Sequence, residues 1–185
     1  MTRKIYRKIF EKLDTLTSKI RIIHLRIKYP KLSISWNSYV GKNCKIVCLD
    51  DSKMEINNVY ISKGCTITSN HGAEVKIAKG YIGPYSTIVA RQKIIINSHF
   101  SIAEMVVIRD QNHRFDLSDE LLEKQGFESA PIIIGTNVWI AAKATILKGV
   151  TIGDNVVVGA HALVNKKITS NSVAVGIPAK KIKAN

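Results

Sequence analysis

An aliphatic residue recurs at every sixth position across residues 132–164, and this repeat restricts the possible folds more than any other feature of the chain. The recurring positions hold Ile134, Ile140, Ile146, Ile152, Val158 and Val164. A small or β-branched residue follows four places after each of the first five: Val138, Ala144, Val150, Val156 and Ala162. A period of six fits neither an α-helix nor a simple two-faced strand. It indicates a solenoid, because a single hexad can bury its aliphatic residue only by stacking on its equivalents.

The hexad returns less regularly between residues 34 and 108, for example at Ile61 and Ile67. Two stretches leave its register, residues 50–58 and 68–76, and we interpret both as small loops at corners or slightly long turns. His71 and His99 fall in such regions and are expected to be surface turn residues. An ordinary β-sandwich would show irregular spacing, so the pattern favours an all-β fold, a parallel β-helix.

The residues also carry a resemblance to a known family. IGTNVWIAAKATILKGVTIGDNVVVGAHALVNKKI followed by VAVGIPAKKI resembles the hexapeptide-repeat acyltransferases, which include galactoside, maltose and serine acetyltransferases. IRDQNHRFD followed by IIIGTNVWI resembles the branch that O-acetylates capsule and lipopolysaccharide sugars. The resemblance implies a left-handed β-helix with three hexads per coil, and a homotrimer with active sites between subunits. We expect a basic helical extension at residues 1–32 and the acyltransferase domain at 33–185, with an inserted loop at 109–131.

The inserted loop is the expected place for chemistry, because solenoids carry binding loops on one face. Transfer of an acetyl group to a sugar hydroxyl needs a base, and histidine suits that task near neutral pH. His113 stands at the root of the loop and matches the family's loop histidine, so we assign it as general base. Asp110 and Asp116 are both candidates either to orient its imidazole or to hold the loop. The segment SDELLEKQG is expected to form a short helix that ends at Gly126.

Trp139 precedes the inward-facing Ile140 and should therefore face outward. An exposed indole suits packing beside a pantetheine arm or an acceptor, and the family has a tryptophan near its active site here. A subunit contact is the alternative role.

Acetyl-CoA is the co-substrate that the resemblance implies, with no metal. Motif positions assign cofactor contacts to Ala142, Ala160, Asn165 and Lys166, and Lys180 or its neighbour to the 3′-phosphate. The amide of Ala142 is a candidate oxyanion donor. Two departures from the family, Ala141 for a glycine and Lys167 for an acid, are expected to change the local turn geometry or the cofactor contacts.

The net charge of +14 is concentrated at the two ends of the chain. Residues 1–35 carry ten Lys or Arg against two acids, and residues 166–185 carry five Lys and no acid. Basic ends suggest anionic partners. Residues 3–29 place isoleucines and leucines on one helical stripe, with a possible break near Thr15–Ser18. The stripe is expected to pack on the β-helix or another subunit, or to hold the enzyme at anionic lipid. A cytoplasmic protein is expected, with the inner face of the membrane as a peripheral site.

Other functions compete with O-acetylation of a glycan or lipid-linked sugar. N-acetylation of an amino nucleotide sugar or amino acid would use the same base and cofactor. A γ-type carbonic anhydrase is disfavoured because His71, His99 and His113 lack that family's close histidine pair. A scaffold or nucleic-acid binder is disfavoured because no aromatic-interleaved basic patch is present. The three cysteines are expected to be buried free thiols.

Overall fold

The computed structural model describes residues 2–115 and 121–184 and shows one long helix followed by a parallel β-solenoid. The helix is α1 (Thr2–Lys28). Sheet A contains β1 (Leu32–Ile34), β4 (Lys53–Ile56), β7 (Glu74–Ile77), β10 (Lys93–Ile96), β15 (Ile132–Ile134) and β18 (Thr151–Ile152). Sheet B contains β2 (Tyr39–Val40), β5 (Val59–Ile61), β8 (Gly80–Ile82), β11 (Phe100–Ile102), β16 (Trp139–Ile140), β19 (Val156–Val158), β21 (Ser172–Val175) and β22 (Lys180–Ala184). Sheet C contains β3 (Lys45–Cys48), β6 (Thr66–Ser69), β9 (Thr87–Ala90), β12 (Val107–Arg109), β17 (Thr145–Ile146) and β20 (Leu163–Val164).

The chain visits sheets A, B and C in turn, so each circuit forms one coil of a three-sided prism. Strands of successive coils pair in parallel, and equivalent aliphatic residues lie over one another, as Ile134 does over Ile152. The aliphatic residues predicted to face inward in residues 132–164 are all buried, and they belong to one continuous apolar core. The predicted β-helix, with its helical N-terminal segment and one inserted loop, is confirmed.

The first coils are longer than the last ones. Paired residues are 22 apart from Leu32 to Met54 and 21 apart from Met54 to Val75, but 18 apart from Ile134 to Ile152. The interpretation of residues 50–58 and 68–76 as small loops is therefore wrong, because these stretches contain β4 and most of β7 of sheet A, whereas the alternative of slightly long turns agrees with the longer coils. The additional residues are absorbed in the turns before these strands.

His71 and His99 lie exposed in turns with positive φ angles of 55° and 64°. The prediction of surface turn residues is confirmed for both.

Helix α1 is continuous through the segment where a break was considered. The hydroxyls of Thr15 and Thr17 donate to the carbonyls of Glu11 and Asp14, so they bond within the helix. Ser18 is buried, and its hydroxyl accepts a hydrogen bond from the amide of Val40 at 2.8 Å.

The helix turns its apolar stripe away from the solenoid. Ile22 is fully buried against the core and Leu25 packs beside it. By contrast, 45–77% of the surface of each described stripe residue is exposed: Leu13, Leu16, Ile20, Ile23 and Ile27. The expectation that this stripe packs on the chain's own β-helix is wrong. The guanidinium of Arg21 instead anchors the opposite face by donating to the carbonyl of Val40 at 2.8 Å.

The inserted loop begins after β12 and forms a hairpin of β13 (Gln111–His113) and β14 (Phe127–Ser129). Asp116 and the first residues of the predicted short helix lie outside the described residues. Residues 122–124 form a turn and residues 121–126 contain no helix, so the helix prediction is wrong for that part. Gly126 has a φ of 77° and its carbonyl accepts from the amide of Arg114, which closes the hairpin.

Candidate active site

His113 lies at the end of the hairpin and exposes its imidazole to solvent. It is paired across the hairpin with Phe127, and the centroids of the two rings are 4.2 Å apart. The guanidinium carbon of Arg91 lies 3.7 Å from the centroid of the Phe127 ring, at a distance suited to a cation–π contact. Phe127 thus links the candidate base to the solenoid wall. An imidazole held in this way is accessible to a hydroxyl and can accept its proton.

Asp110 is fully buried at the root of the hairpin. Its carboxylate accepts hydrogen bonds from the amides of Arg91, Gln92 and Lys93, each at 2.8 Å. With the side-chain amide of Gln111 oriented to donate, its nitrogen lies 2.5 Å from the same carboxylate. No hydrogen bond joins Asp110 to His113 among the described residues, so Asp110 holds the hairpin and does not orient the imidazole.

Trp139 lies on the outer face of sheet B with 52% of its surface exposed, which confirms the predicted outward direction. The turn after β16 contains Ala142, which is half-buried, and the turn one coil further on contains the exposed Ala160. The carbonyl of Ala142 accepts from the amide of His161 at 2.9 Å, so these two turns stack directly. Together they form a backbone track beside Trp139 at the edge between sheets B and C.

The remaining predicted cofactor residues are exposed near the C-terminal end of the solenoid. Asn165 and Lys166 follow β20 at the edge between sheets C and A, and Lys180 lies on β22 of sheet B. In the described parts of the chain, no ion pair involves Lys166 or Lys180. Their charges are therefore open to phosphate, which lysine binds as a point charge.

A single chain does not bring the two principal site residues together. The His113 hairpin leaves the solenoid between β12 of sheet C and β15 of sheet A. Trp139 lies on sheet B, the face of the prism opposite that edge. The chain therefore carries two separate half-sites, one centred on His113 and one centred on Trp139.

Sequence reasoning missed the residues that hold His113 in place. Arg91 lies in the solenoid and Phe127 in the inserted hairpin, and neither lies in a recognisable motif. It also missed three stacked tyrosines on sheet B, Tyr39, Tyr60 and Tyr81, although their constant spacing of 21 residues equals one coil. That spacing is a signal that a search for repeats of outward residues would have found.

The cysteines are free thiols, as expected, but Cys44 is only partly buried. A hydrogen bond from Cys65 lowers the pKa of Cys44 to about 7. The same hydrogen bond and, to a smaller extent, burial raise the pKa of Cys65. Cys44 lines a cavity of about 320 Å³ between α1 and the solenoid, together with Arg21 and His24.

Residues 2–115 and 121–184 contain no group of three or more His, Cys, Asp or Glu side chains arranged to hold a metal ion. Within those same ranges, no helix has both the length and the apolar character needed to cross a membrane.

The repeat and the fold both match known proteins. Residues 131–166 match the family described as bacterial transferase hexapeptide (six repeats). The chain is 36% identical over 109 residues to WbbJ of Escherichia coli K12, whose name gives it as a candidate lipopolysaccharide biosynthesis O-acetyl transferase; the match covers 55% of this chain and 56% of WbbJ. Overall, the chain spans 30–56% of the length of the first curated relatives it matches.

Solved structures extend the comparison. The chain is 34% identical to a galactoside acetyltransferase solved in complex with coenzyme A, with a TM-score of 0.50, and the match covers 75% of this chain and 64% of that one. It shares the fold of AntD, an N-acyltransferase from Bacillus cereus, with a TM-score of 0.69 at 20% identity over 88% and 89% of the two chains.

The three-sided solenoid, its hexad core and its single inserted hairpin define a parallel β-helix protein of the hexapeptide-repeat class. The sequence matches place it more narrowly. Over these matched segments the chain is similar to hexapeptide-repeat acyltransferases.

Proposed function

We propose that this chain is an acetyl-CoA-dependent O-acetyltransferase that acts on a hydroxyl of a surface-polysaccharide or lipid-linked sugar. The similarity at 34–36% identity to WbbJ and to the coenzyme A-bound galactoside acetyltransferase carries the proposal. The exposed imidazole of His113 agrees with it, as do the exposed ammonium groups of Lys166 and Lys180, which form no ion pair within the described residues.

In the proposed reaction His113 takes the proton of the acceptor hydroxyl while the oxygen attacks the thioester carbonyl carbon. The amide of Ala142 donates to the oxyanion that develops on the carbonyl oxygen. When the carbon–sulfur bond breaks, the imidazolium of His113 returns the proton to the thiolate of coenzyme A. The products are an O-acetyl sugar and free coenzyme A, and no covalent enzyme intermediate is needed.

We place the active site between neighbouring copies of the chain in a homotrimer. The His113 half-site and the Trp139 half-site lie on different sides of one solenoid, so a neighbour must supply one of them. A ring of three copies with rotational symmetry makes three identical contacts of this kind.

The direct test is a transfer screen with acetyl-CoA against capsule and lipopolysaccharide oligosaccharides and amino sugars, with mass spectrometry of the products. We expect O-acetyl products from the wild type and a loss of at least a hundredfold in His113→Ala, because a positioned base contributes about 10²–10⁴-fold. His99→Ala, which removes another exposed histidine, serves as the matched control and should keep its activity. Amide products would show that the proposed O-acetylation is wrong and that the chain catalyses N-acetylation. Near-full activity in a folded His113→Ala protein would refute the assigned base.

We further propose that α1 holds the enzyme at anionic lipid. Its apolar stripe is exposed along one face, and residues 1–35 carry ten Lys or Arg against two acids. Anionic headgroups complement this charge, whereas helices of several copies would repel one another.

Sedimentation with phosphatidylglycerol vesicles tests the lipid contact. We expect binding by the wild type and at least tenfold weaker binding by Leu16→Ser/Ile20→Ser, since each buried apolar side chain contributes about 1.5–3 kcal/mol. Leu49→Ser removes an equally exposed leucine outside the helix and should bind normally. If Leu16→Ser/Ile20→Ser instead breaks up the oligomer and binds vesicles normally, the stripe is a subunit contact.

A further inference from the structure

Three tyrosines form a stacked column on the outer face of sheet B. Tyr39, Tyr60 and Tyr81 are paired in register on β2, β5 and β8. The ring centroids of Tyr39 and Tyr60 are 4.4 Å apart with planes 10° from parallel, and those of Tyr60 and Tyr81 are 5.7 Å apart at 20°. About half of Tyr60 and 39% of Tyr81 remain exposed. We call these three residues the tyrosine column.

The column is not part of the solenoid core. The inward partners on the same strands, Val40, Ile61 and Ile82, fill the apolar interior completely. The tyrosine rings stand on the opposite side of the sheet, where solvent would accept any polar residue. At the N-terminal end, the hydroxyl of Tyr39 donates to the carboxylate of Asp14 on α1, which fixes the first ring.

The same line of outward positions leads to the candidate active site. Ser101 follows Tyr81 in register, and Trp139 follows Ser101. The small serine leaves a step between two aromatic side chains that are two strands apart, roughly 10 Å at the usual spacing between strands. That step has room for one sugar ring between aromatic groups.

A groove lies along the tyrosine column. Its cavity of about 330 Å³ is lined by all three tyrosines together with Asn37, Asn58 and Lys79. This volume falls within the range of small-ligand sites, which combine apolar surface with a few polar groups. Aromatic rings cover the apolar C–H face of a sugar, and the amides and the ammonium suit its hydroxyls or an attached phosphate.

The position of the groove indicates which substrate it would take. The candidate cofactor residues on this side, Ala142, Ala160 and Lys180, lie from Trp139 towards the C-terminal end of the solenoid. The tyrosine column lies on the other side of Trp139. Because the acceptor and the thioester must meet near Trp139, the face beyond it is free for the acceptor.

We propose that the tyrosine column, with Asn37, Asn58 and Lys79, is a docking track for the acceptor glycan, in which successive sugar units lie over Tyr81, Tyr60 and Tyr39. The identity of the ligand as acceptor rests on the proposed function. Binding of a glycan to the groove does not depend on acetyl transfer and can be measured without acetyl-CoA.

The test is binding of the fluorescently labelled protein to an array of capsule and lipopolysaccharide oligosaccharides. We expect binding by the wild type, at least tenfold weaker binding by Tyr60→Ala and Tyr81→Ala, and near-normal binding by Tyr81→Phe, which keeps the ring. Tyr85→Ala removes an exposed tyrosine outside the column and should bind normally. Unchanged binding in the two alanine variants, or no glycan binding by the wild type, would overturn the proposal.

Two further measurements separate the possible failures. If acetyl-CoA stabilises the protein against heat and the array shows no effect of the variants, the track is wrong and the proposed function stands. If acetyl-CoA has no effect but the variants lose glycan binding, the proposed function is wrong and the track stands. If the alanine variants dissociate the oligomer in size-exclusion chromatography, the column is a subunit contact and the proposal is wrong.

Discussion

Replacement of Asp110 by alanine should destabilise the protein strongly, because this buried carboxylate is the only side chain that accepts from three consecutive amides among the described residues. Asp110→Ala leaves the amides of Arg91, Gln92 and Lys93 without this acceptor. A hydrogen bond to a charged group contributes about 1.5–3 kcal/mol, and water entering the vacated space would replace part of it. We therefore expect a loss of about 3–6 kcal/mol in the free energy of unfolding.

Urea unfolding followed by circular dichroism, at one protein concentration for all variants, measures this loss. Asp154→Ala is the matched control. Asp154 is exposed and accepts from the amide of Thr136 at 2.6 Å, so its removal should cost about 1 kcal/mol or less. Asp110→Asn keeps the shape and one acceptor oxygen and should fall between the two. A loss below about 1 kcal/mol in Asp110→Ala would refute the assignment of Asp110 as the anchor of the hairpin.

Three shorter predictions follow from other parts of the solenoid. Hydrogen bonds from two lysines lower the pKa of Glu74 from its ordinary 4.5 to about 2. Its contribution to stability is therefore present above pH 4.5 and is lost as the pH falls towards 2. Glu74→Gln should make the free energy of unfolding less dependent on pH in that window. Cys44 should react with iodoacetamide faster than Cys65, at a rate that rises as the pH passes 7, as peptide mass spectrometry would show; equal rates would contradict the lowered pKa. Gly83→Ala places a methyl group 2.4 Å from the backbone carbonyl carbon of Ala103. This clash should lower the free energy of unfolding by about 1–3 kcal/mol. An unchanged urea midpoint would show that the two coils can move apart at this position.

The hexads of residues 132–164 could be predicted from the sequence because coils of 18 residues keep every inward position at a multiple of six. In the first coils the same pattern is harder to recognise from the sequence. Their turns contain additional residues, so Met54 and Val75 no longer lie a multiple of 18 apart, although both face the core. A residue count detects a solenoid only where its turns have constant length.

The face of helix α1 that packs against the solenoid could not be predicted from the amphipathic pattern of the helix. The pattern correctly separated an apolar stripe from a basic face, but it does not say which face the solenoid binds. The contact depends on Ser18, Ile22 and Arg21, which bond or pack against Val40 and its neighbours. Polar side chains that bond to backbone groups give no periodic pattern in the sequence, and the apolar stripe of α1 therefore lies in solvent although its pattern is typical of a core-facing helix.

Only part of the candidate site could be predicted from the sequence. His113 and Trp139 were found because short motifs surround them, and the outward direction of Trp139 followed from its place next to Ile140. The support for His113 was not found, since Asp110 acts on backbone amides 17–19 residues earlier in the chain. Backbone amides are the same whatever the side chain, so a carboxylate that accepts from them cannot be recognised from residue types.

The separation of His113 and Trp139 leads to a test of the shared active site. His113→Ala and Trp139→Ala should each be inactive, yet trimers that contain both variants should recover activity. An intact site needs an unmodified His113 from one copy beside an unmodified Trp139 from the next, and every closed ring that contains both variants has this arrangement at about one of its three contacts. Coexpressed variants with different tags, purified through both tags, would provide the mixed trimers. A mixture of His113→Ala with a His113→Ala/Trp139→Ala variant has no unmodified His113 and should remain inactive. If the mixed trimers showed no recovery while acetyl-CoA still bound, both residues would have to act within one chain, and the placement of the site between copies would be wrong.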